Sequence, residues 1–256
     1  MRTVRSGPVR WAAHGLAAQL ALVAVLLAAV GAGPLGWLVA LACCAAMNVI
    51  LTRGLTRAGR AGFGPADRVT LLRADLVAVI TGLVAGSLHS DRHVFALVGL
   101  SVAALLLDTV DGQVARRTGT ASRFGARFDM EVDAFLILVL SGYVARHFGG
   151  WVLAIGAARY AYVAAGWVLP WLRRQAPARF WCKVVAALQG IVLTVAAAAV
   201  LPHWLAVMAI VVALVLLCES FGREAWWLWR HRSRIPETAR HTPVVLRQLV
   251  TGATRG

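Results

Sequence analysis

Four carboxylates in this chain of 256 residues stand at a spacing that suits chemistry. The stretch reads Asp108-Thr-Val-Asp111-Gly112-Gln-Val-Ala115-Arg116, then eight residues, then Gly125-Ala-Arg-Phe-Asp129-Met-Glu-Val-Asp133. Positions i, i+3, i+4, i+7 and i+8 share one face of a helix. Asp108, Asp111, Gly112, Ala115 and Arg116 therefore form one stripe, and Gly125, Asp129 and Asp133 form a second on the following helix. The residues between them, with Thr118, Gly119, Thr120 and Ser122, suit a turn that brings the two faces together. Carboxylates converging near a membrane repel one another and resist losing water; a single Asp at a helix centre costs about 2.5–3.5 kcal/mol. Hard divalent cations resolve the conflict, since Mg²⁺ takes oxygen ligands and binds carboxylates together with substrate phosphates. Two such ions could neutralise a pyrophosphate and support in-line displacement at phosphorus. Gly112 and Ala115 keep the face low enough for a nucleotide to lie against it. The plainer alternative is a set of helix-end aspartates facing water. It does not account for four of the chain's seven aspartates falling within 26 residues, in two helical registers with small residues interleaved.

At these residues the sequence resembles the CDP-alcohol phosphatidyltransferase family, whose pattern D-x2-D-G-x2-A-R-x8-G-x3-D-x3-D is met at every fixed position. The resemblance covers roughly Gly64 to Phe221, the family's six-helix core, with the two spans before it as an addition. It implies that an acceptor hydroxyl attacks the lipid-bearing phosphate of a CDP-alcohol, CDP-diacylglycerol being the expected donor, and that CMP leaves. Carried over residue by residue, Asp108, Asp111 and Asp129 would hold two divalent ions, Mg²⁺ or Mn²⁺. Asp133 would be both a ligand and the general base. Gly112 and Arg116 would contact the nucleotide and its phosphates, and Ser122 matches a hydroxyl used for substrate binding. A base beside the reacting phosphate also makes sense by itself, because it shortens the proton's path. The resemblance further implies a homodimer.

Two shorter elements support the likeness. Asp67-Arg-Val-Thr70-Leu-Leu-Arg73 is similar to the family's Pro-Asn-x-Val-Thr-x-x-Arg; Thr70 and Arg73 match, Ala66 and Asp67 depart, and Thr70 is carried as substrate-binding. Asp67 reads almost as well as a helix N-cap. Cys182-Lys183-Val-Val-Ala186-Ala-Leu-Gln189 is similar to Gly-Lys-x-x-Thr-x-x-Gln, matching at Lys183 and Gln189. Lys183, the one lysine among 26 basic residues, is carried as a contact for an anionic acceptor or lipid phosphate. Arg159, deep in an apolar segment, either lines an acceptor pocket or pairs with Glu131 or Glu219.

The elements that must position these residues are apolar helices. The chain is 60% hydrophobic and 14% charged, with mean hydropathy +0.73, whereas a soluble domain is about half apolar and about a quarter charged. Apolar blocks run at Trp11–Val30, Leu35–Leu51, Val69–Ser87, Val94–Leu107, Met130–Ala145, Trp151–Leu172, Val184–Leu201 and Trp204–Phe221. The expected fold is all-α, a polytopic transmembrane helical bundle of eight spans: a six-helix core plus an N-terminal two-helix hairpin. The expected division is 1–63 for the N-terminal arm and hairpin, 64–221 for the core and 222–256 for a cytosolic tail. Trp11–Val30 is long for the apolar region of a signal peptide and a second span follows after only a few residues, so it reads as half of an uncleaved hairpin.

Charge orients the bundle. Arg clusters precede the first span, follow the second, fourth and sixth, and open the tail, while the alternate connections hold only Arg92 and Arg146. With eight spans every cluster falls on one side, which places both termini and the Asp-rich loop in the cytosol, at an inner or plasma membrane. The net charge of +15 then serves topology and anionic headgroups, and nucleic acid is not an expected partner. Cys43, Cys44, Cys182 and Cys218 lack zinc or disulfide spacing, and the adjacent pair suits small-residue helix packing. An intramembrane prenyltransferase also binds Mg²⁺-diphosphate through Asp-rich motifs, but those lie far apart in sequence. A transporter or non-catalytic scaffold is the non-enzyme alternative; intact aspartates and the lack of paired broken helices oppose it. Nothing in the sequence separates glycerol phosphate, inositol phosphate, serine or another alcohol as acceptor.

Overall fold

The computed structural model describes residues 7–57, 65–87, 93–118, 123–173 and 180–231, with side chains within 16–54, 69–87, 93–110, 125–172 and 181–231. Among these are eight α-helices and no strand: α1 (Gly7–Val30), α2 (Pro34–Arg57), α3 (Pro65–Gly86), α4 (Val94–Thr118), α5 (Arg123–Phe148), α6 (Leu153–Val168), α7 (Phe180–Ala197) and α8 (His203–Arg230). Helices are what an apolar chain must form where water is absent, since each backbone N–H and C=O is then satisfied within the segment. Hydroxyls inside the apolar helices follow the same rule: Thr81, Ser101 and Thr194 each donate to the carbonyl four residues back. Helical stretches at Pro34–Gly54, Val69–Gly86, Gly150–Val168 and His203–Arg230 are long and apolar enough to cross a bilayer, and Leu16–Val30, Val94–Val110 and Trp181–Ala197 are shorter apolar helices. The protein is a membrane protein.

Punctuation residues set the ends. Pro34 and Pro65 occupy the first positions of α2 and α3, where a missing N–H is harmless. Gly31, at φ +72°, closes α1. Its N–H bonds Ala28 O at 3.1 Å and the Ala32 N–H bonds Leu27 O at 3.0 Å, the paired Schellman bonds that a left-handed residue permits. Pro170 follows the end of α6, so the expected span Trp151–Leu172 is in fact a 3₁₀ turn, α6 and a second 3₁₀ turn at Pro170–Arg173. At the other extreme α8 continues through Trp226, Trp227 and Trp229, residues that hydropathy alone assigns to a tail. Trp226 stacks on Trp229 at 5.5 Å and Arg230 lies over the Trp226 ring at 5.0 Å, an arrangement suited to the headgroup layer.

Helix α3 is the axis of the bundle. It packs against α1, α2, α4 and α5, and 67% of its apolar stretch is buried, against 28% for those of α2 and α8. Val77, Ala78, Val79 and Ile80 lose all exposure on successive faces. Its contact with α2 is backbone to backbone: a Cβ on Gly82 would sit 2.5 Å from the Gly36 carbonyl oxygen and 2.8 Å from Ala40 Cβ. Large apolar side chains turned outward, such as Phe95 and Val168, suit contact with lipid.

Candidate active site

The aspartates meet at one end of the bundle, where α4 finishes and α5 begins. Asp108 lies in the second half of α4, and Asp129 and Asp133 lie one turn apart in the first half of α5. Each can place a carboxylate oxygen within 4.8 Å of the other two. Asp108 of the first stripe is thus brought beside Asp129 and Asp133 of the second. Asp111, Gly112 and Arg116 belong to the same α4 helix, but their side chains lie outside the described residues, as does that of Asp67; Ser122 lies outside them altogether.

The group that joins the three carboxylates is Arg73. It stands on α3 with no exposed surface. One terminal nitrogen donates to Asp108 Oδ1, and the other to Asp129 Oδ1 and, at 3.1 Å, to the Asp129 carbonyl oxygen. The second nitrogen also lies 3.2 Å from Asp133 Oδ1. A planar, permanently charged fork is well matched to several carboxylates at once. The sequence marks Arg73 as a motif match without assigning it a role. Its signal is nevertheless present: an ionisable residue within an apolar span is functional by default.

One guanidinium among three carboxylates gives these four side chains a net negative charge. The aspartate side chains are also partly open, at 40%, 34% and 36% exposure, while the arginine beneath them is sealed. Hard oxygen donors, net negative charge and remaining access fit a divalent metal ion.

Comparison with known proteins agrees with this chemistry. The family model described as CDP-alcohol phosphatidyltransferase matches residues 63–217, more than half of the chain. The chain belongs to the CDP-alcohol phosphatidyltransferase family. A curated relative, the CDP-diacylglycerol--serine O-phosphatidyltransferase of Methanocaldococcus jannaschii, is 41% identical over 78 residues, which is 30% of this chain and 33% of the relative. The chain thus spans about a third of the length of the curated relative it matches. Helices α1 and α2 lie outside the segment shared with the family.

The remaining expected positions of this CDP-alcohol phosphatidyltransferase family member divide. Thr70 is buried on α3, one turn before Arg73 and on its face. Lys183 is exposed near the start of α7 and is joined to none of the described aspartates. Gln189, further along α7, is buried and donates to the Ala213 carbonyl on α8 at 2.8 Å, a tie between neighbouring helices. Arg159 takes one of its two expected partners, donating to Glu131 Oε1 at 2.7 Å. Glu219 is instead held by Arg223 and by the Trp181 indole, the latter at 3.0 Å. Cys44 does more than pack, since its thiol reaches Asp75 Oδ1 at 3.5 Å.

Proposed function

We propose that this protein transfers a phosphatidyl group from a CDP-alcohol, CDP-diacylglycerol in the first instance, to an alcohol acceptor with release of CMP. The observation that carries the reading is the convergence of Asp108, Asp129 and Asp133 on Arg73 at one end of the bundle, in a chain of this family. Asp108, Asp111, Asp129 and Asp133 are the residues that would hold two divalent ions, Mg²⁺ or Mn²⁺. Such ions supply charge neutralisation of the diphosphate and of the leaving phosphate. Arg73 holds the carboxylates from beneath and leaves part of each open. Gly112 and Arg116 bind the nucleotide and its phosphates, with Ser122 and Thr70 as polar contacts, and Lys183 meets an anionic acceptor or lipid phosphate. As the acceptor oxygen bonds to the lipid-bearing phosphorus and the bond to the CMP oxygen breaks, Asp133 takes the hydroxyl proton.

The eight helices are read as eight spans, a six-helix core behind an N-terminal hairpin, with both termini and the aspartates on the cytosolic side of a cell membrane. Arginine placement supports that orientation. A homodimer is the expected assembly.

The deciding assay uses purified protein, Mg²⁺ or Mn²⁺, CDP-diacylglycerol and a panel of acceptors, with CMP release followed. L-Serine, which the archaeal relative's name specifies, heads the panel beside glycerol phosphate and inositol phosphate. CMP formed with one acceptor supports the reading; folded protein that releases none with any acceptor refutes it.

A further inference from the structure

Helices α1 and α2 precede the segment shared with the family. Yet the structure ties them to α3 through a buried polar cluster. Gln19 on α1 donates from Nε2 to Asp75 Oδ1 at 3.2 Å, and the Cys44 thiol on α2 reaches the same oxygen at 3.5 Å. Asn48, one turn beyond Cys44, donates to Gln19 Oε1. All four side chains are buried, and Asp75 keeps only 3% of its surface exposed. A polar cluster shared by three helices in such a place is costly unless its members satisfy one another, which makes its geometry exacting.

Asp75 stands two residues after Arg73. On a helix that separation is about 200°, so the two charged groups leave α3 on opposite sides. Arg73 reaches the aspartates of α4 and α5, and Asp75 reaches the hairpin. Helix α3 is therefore held from both flanks at one level. Further along, the Gly36–Gly82 approach leaves no room for a side chain between α2 and α3. Two separate attachments fix both the rotation and the depth of α3.

We propose that Asp75 is a positioning residue: held by Gln19 and Cys44, it sets the rotation of α3 and so keeps Arg73 registered among the metal-binding aspartates. The hairpin is then part of the active-site framework. The inference rests on the reading of Asp108, Asp129 and Asp133 as metal ligands.

The test is Mn²⁺ binding to full-length protein in detergent, stripped of metal and titrated under electron paramagnetic resonance, with folding checked by circular dichroism and gel filtration. Asp75→Leu removes the acceptor, and Gln19→Leu with Asn48→Leu removes the hairpin's side of the cluster. Each should raise the half-saturating Mn²⁺ concentration by about three- to tenfold, at or below the range for a group that orients metal ligands from outside. Asp75→Asn keeps an oxygen for Gln19 and Cys44 and should bind within about twofold of wild type. A purely structural role would lower the unfolding temperature and leave the titration in place. Should Asp75→Leu fail to fold, the hairpin double variant carries the test. Folded Asp75→Leu or hairpin variants that titrate like wild type overturn the positioning role alone, as does Asp75→Asn behaving like Asp75→Leu. Wild-type protein that takes up no Mn²⁺ overturns the metal reading and this inference with it.

Discussion

Arg73 brings one positive charge to three carboxylates, and that imbalance makes it testable. Replacing it with leucine leaves Asp108, Asp129 and Asp133 facing one another without the cation between them. Losing a partner that orients metal ligands costs about 10–100-fold in metal affinity or activity. Arg73→Leu should therefore lower kcat/KM in the CMP-release assay by that order. Arg73→Lys should fall between, because an ammonium keeps the charge and loses the fork. Asp133→Asn should abolish turnover while some nucleotide binding survives in a direct binding measurement; wild-type turnover would refute its role as base. The aspartates are legible in the sequence because their meaning lies in helical spacing. Arg73 is only half legible, since its role depends on which way α3 is turned against α4 and α5. Gln19, Asn48 and Asp75 look like unrelated polar residues for the same reason: their partners sit on other helices.

At the scale of elements, α3 decides what its neighbours can do. Its contact with α2 is close enough to predict a stability change: Gly82→Val would drive side-chain atoms into the Gly36 carbonyl and Ala40. Overpacking of this kind costs about 1–3 kcal/mol, to be read as a lower unfolding temperature in detergent. Gly86→Ala at the end of the same helix meets no neighbour and should change that temperature little. The existence of helices is readable from the apolar blocks, their ends less so. The fifth block opens only at Met130 because Arg123, Arg127 and Asp129 look like a loop to a hydropathy scale, yet α5 already runs through them. The stripe Gly125–Asp129–Asp133 carries the better signal, being a statement about period rather than polarity. The last block likewise stops at Phe221, yet α8 runs on through Trp226 and Trp229.

For the whole molecule, the proposed orientation and the proposed metals each make a measurable claim. A fluorescent protein fused to the C-terminus should fold and fluoresce in cells, while alkaline phosphatase fused there should stay inactive; the reverse pattern would invert the bundle. Mg²⁺ or Mn²⁺ at about a hundred times its dissociation constant should stabilise the protein by about 2.7 kcal/mol, seen as a higher unfolding temperature that a chelator abolishes. The buried cluster around Asp75 also bears on how such a bundle is made. A carboxylate entering a bilayer alone costs about 2.5–3.5 kcal/mol, and the N-terminal part of a chain is built first, at about 5–20 residues per second. Gln19 and Cys44, which donate to Asp75, and Asn48, which donates to Gln19, all precede Asp75 in the chain, so they leave the ribosome seconds before the acceptor does. The tight Gly31 turn joins α1 and α2 as neighbours. On the proposed eight-span reading, order of synthesis puts the hairpin's polar groups in place before the span that carries charge on both flanks arrives.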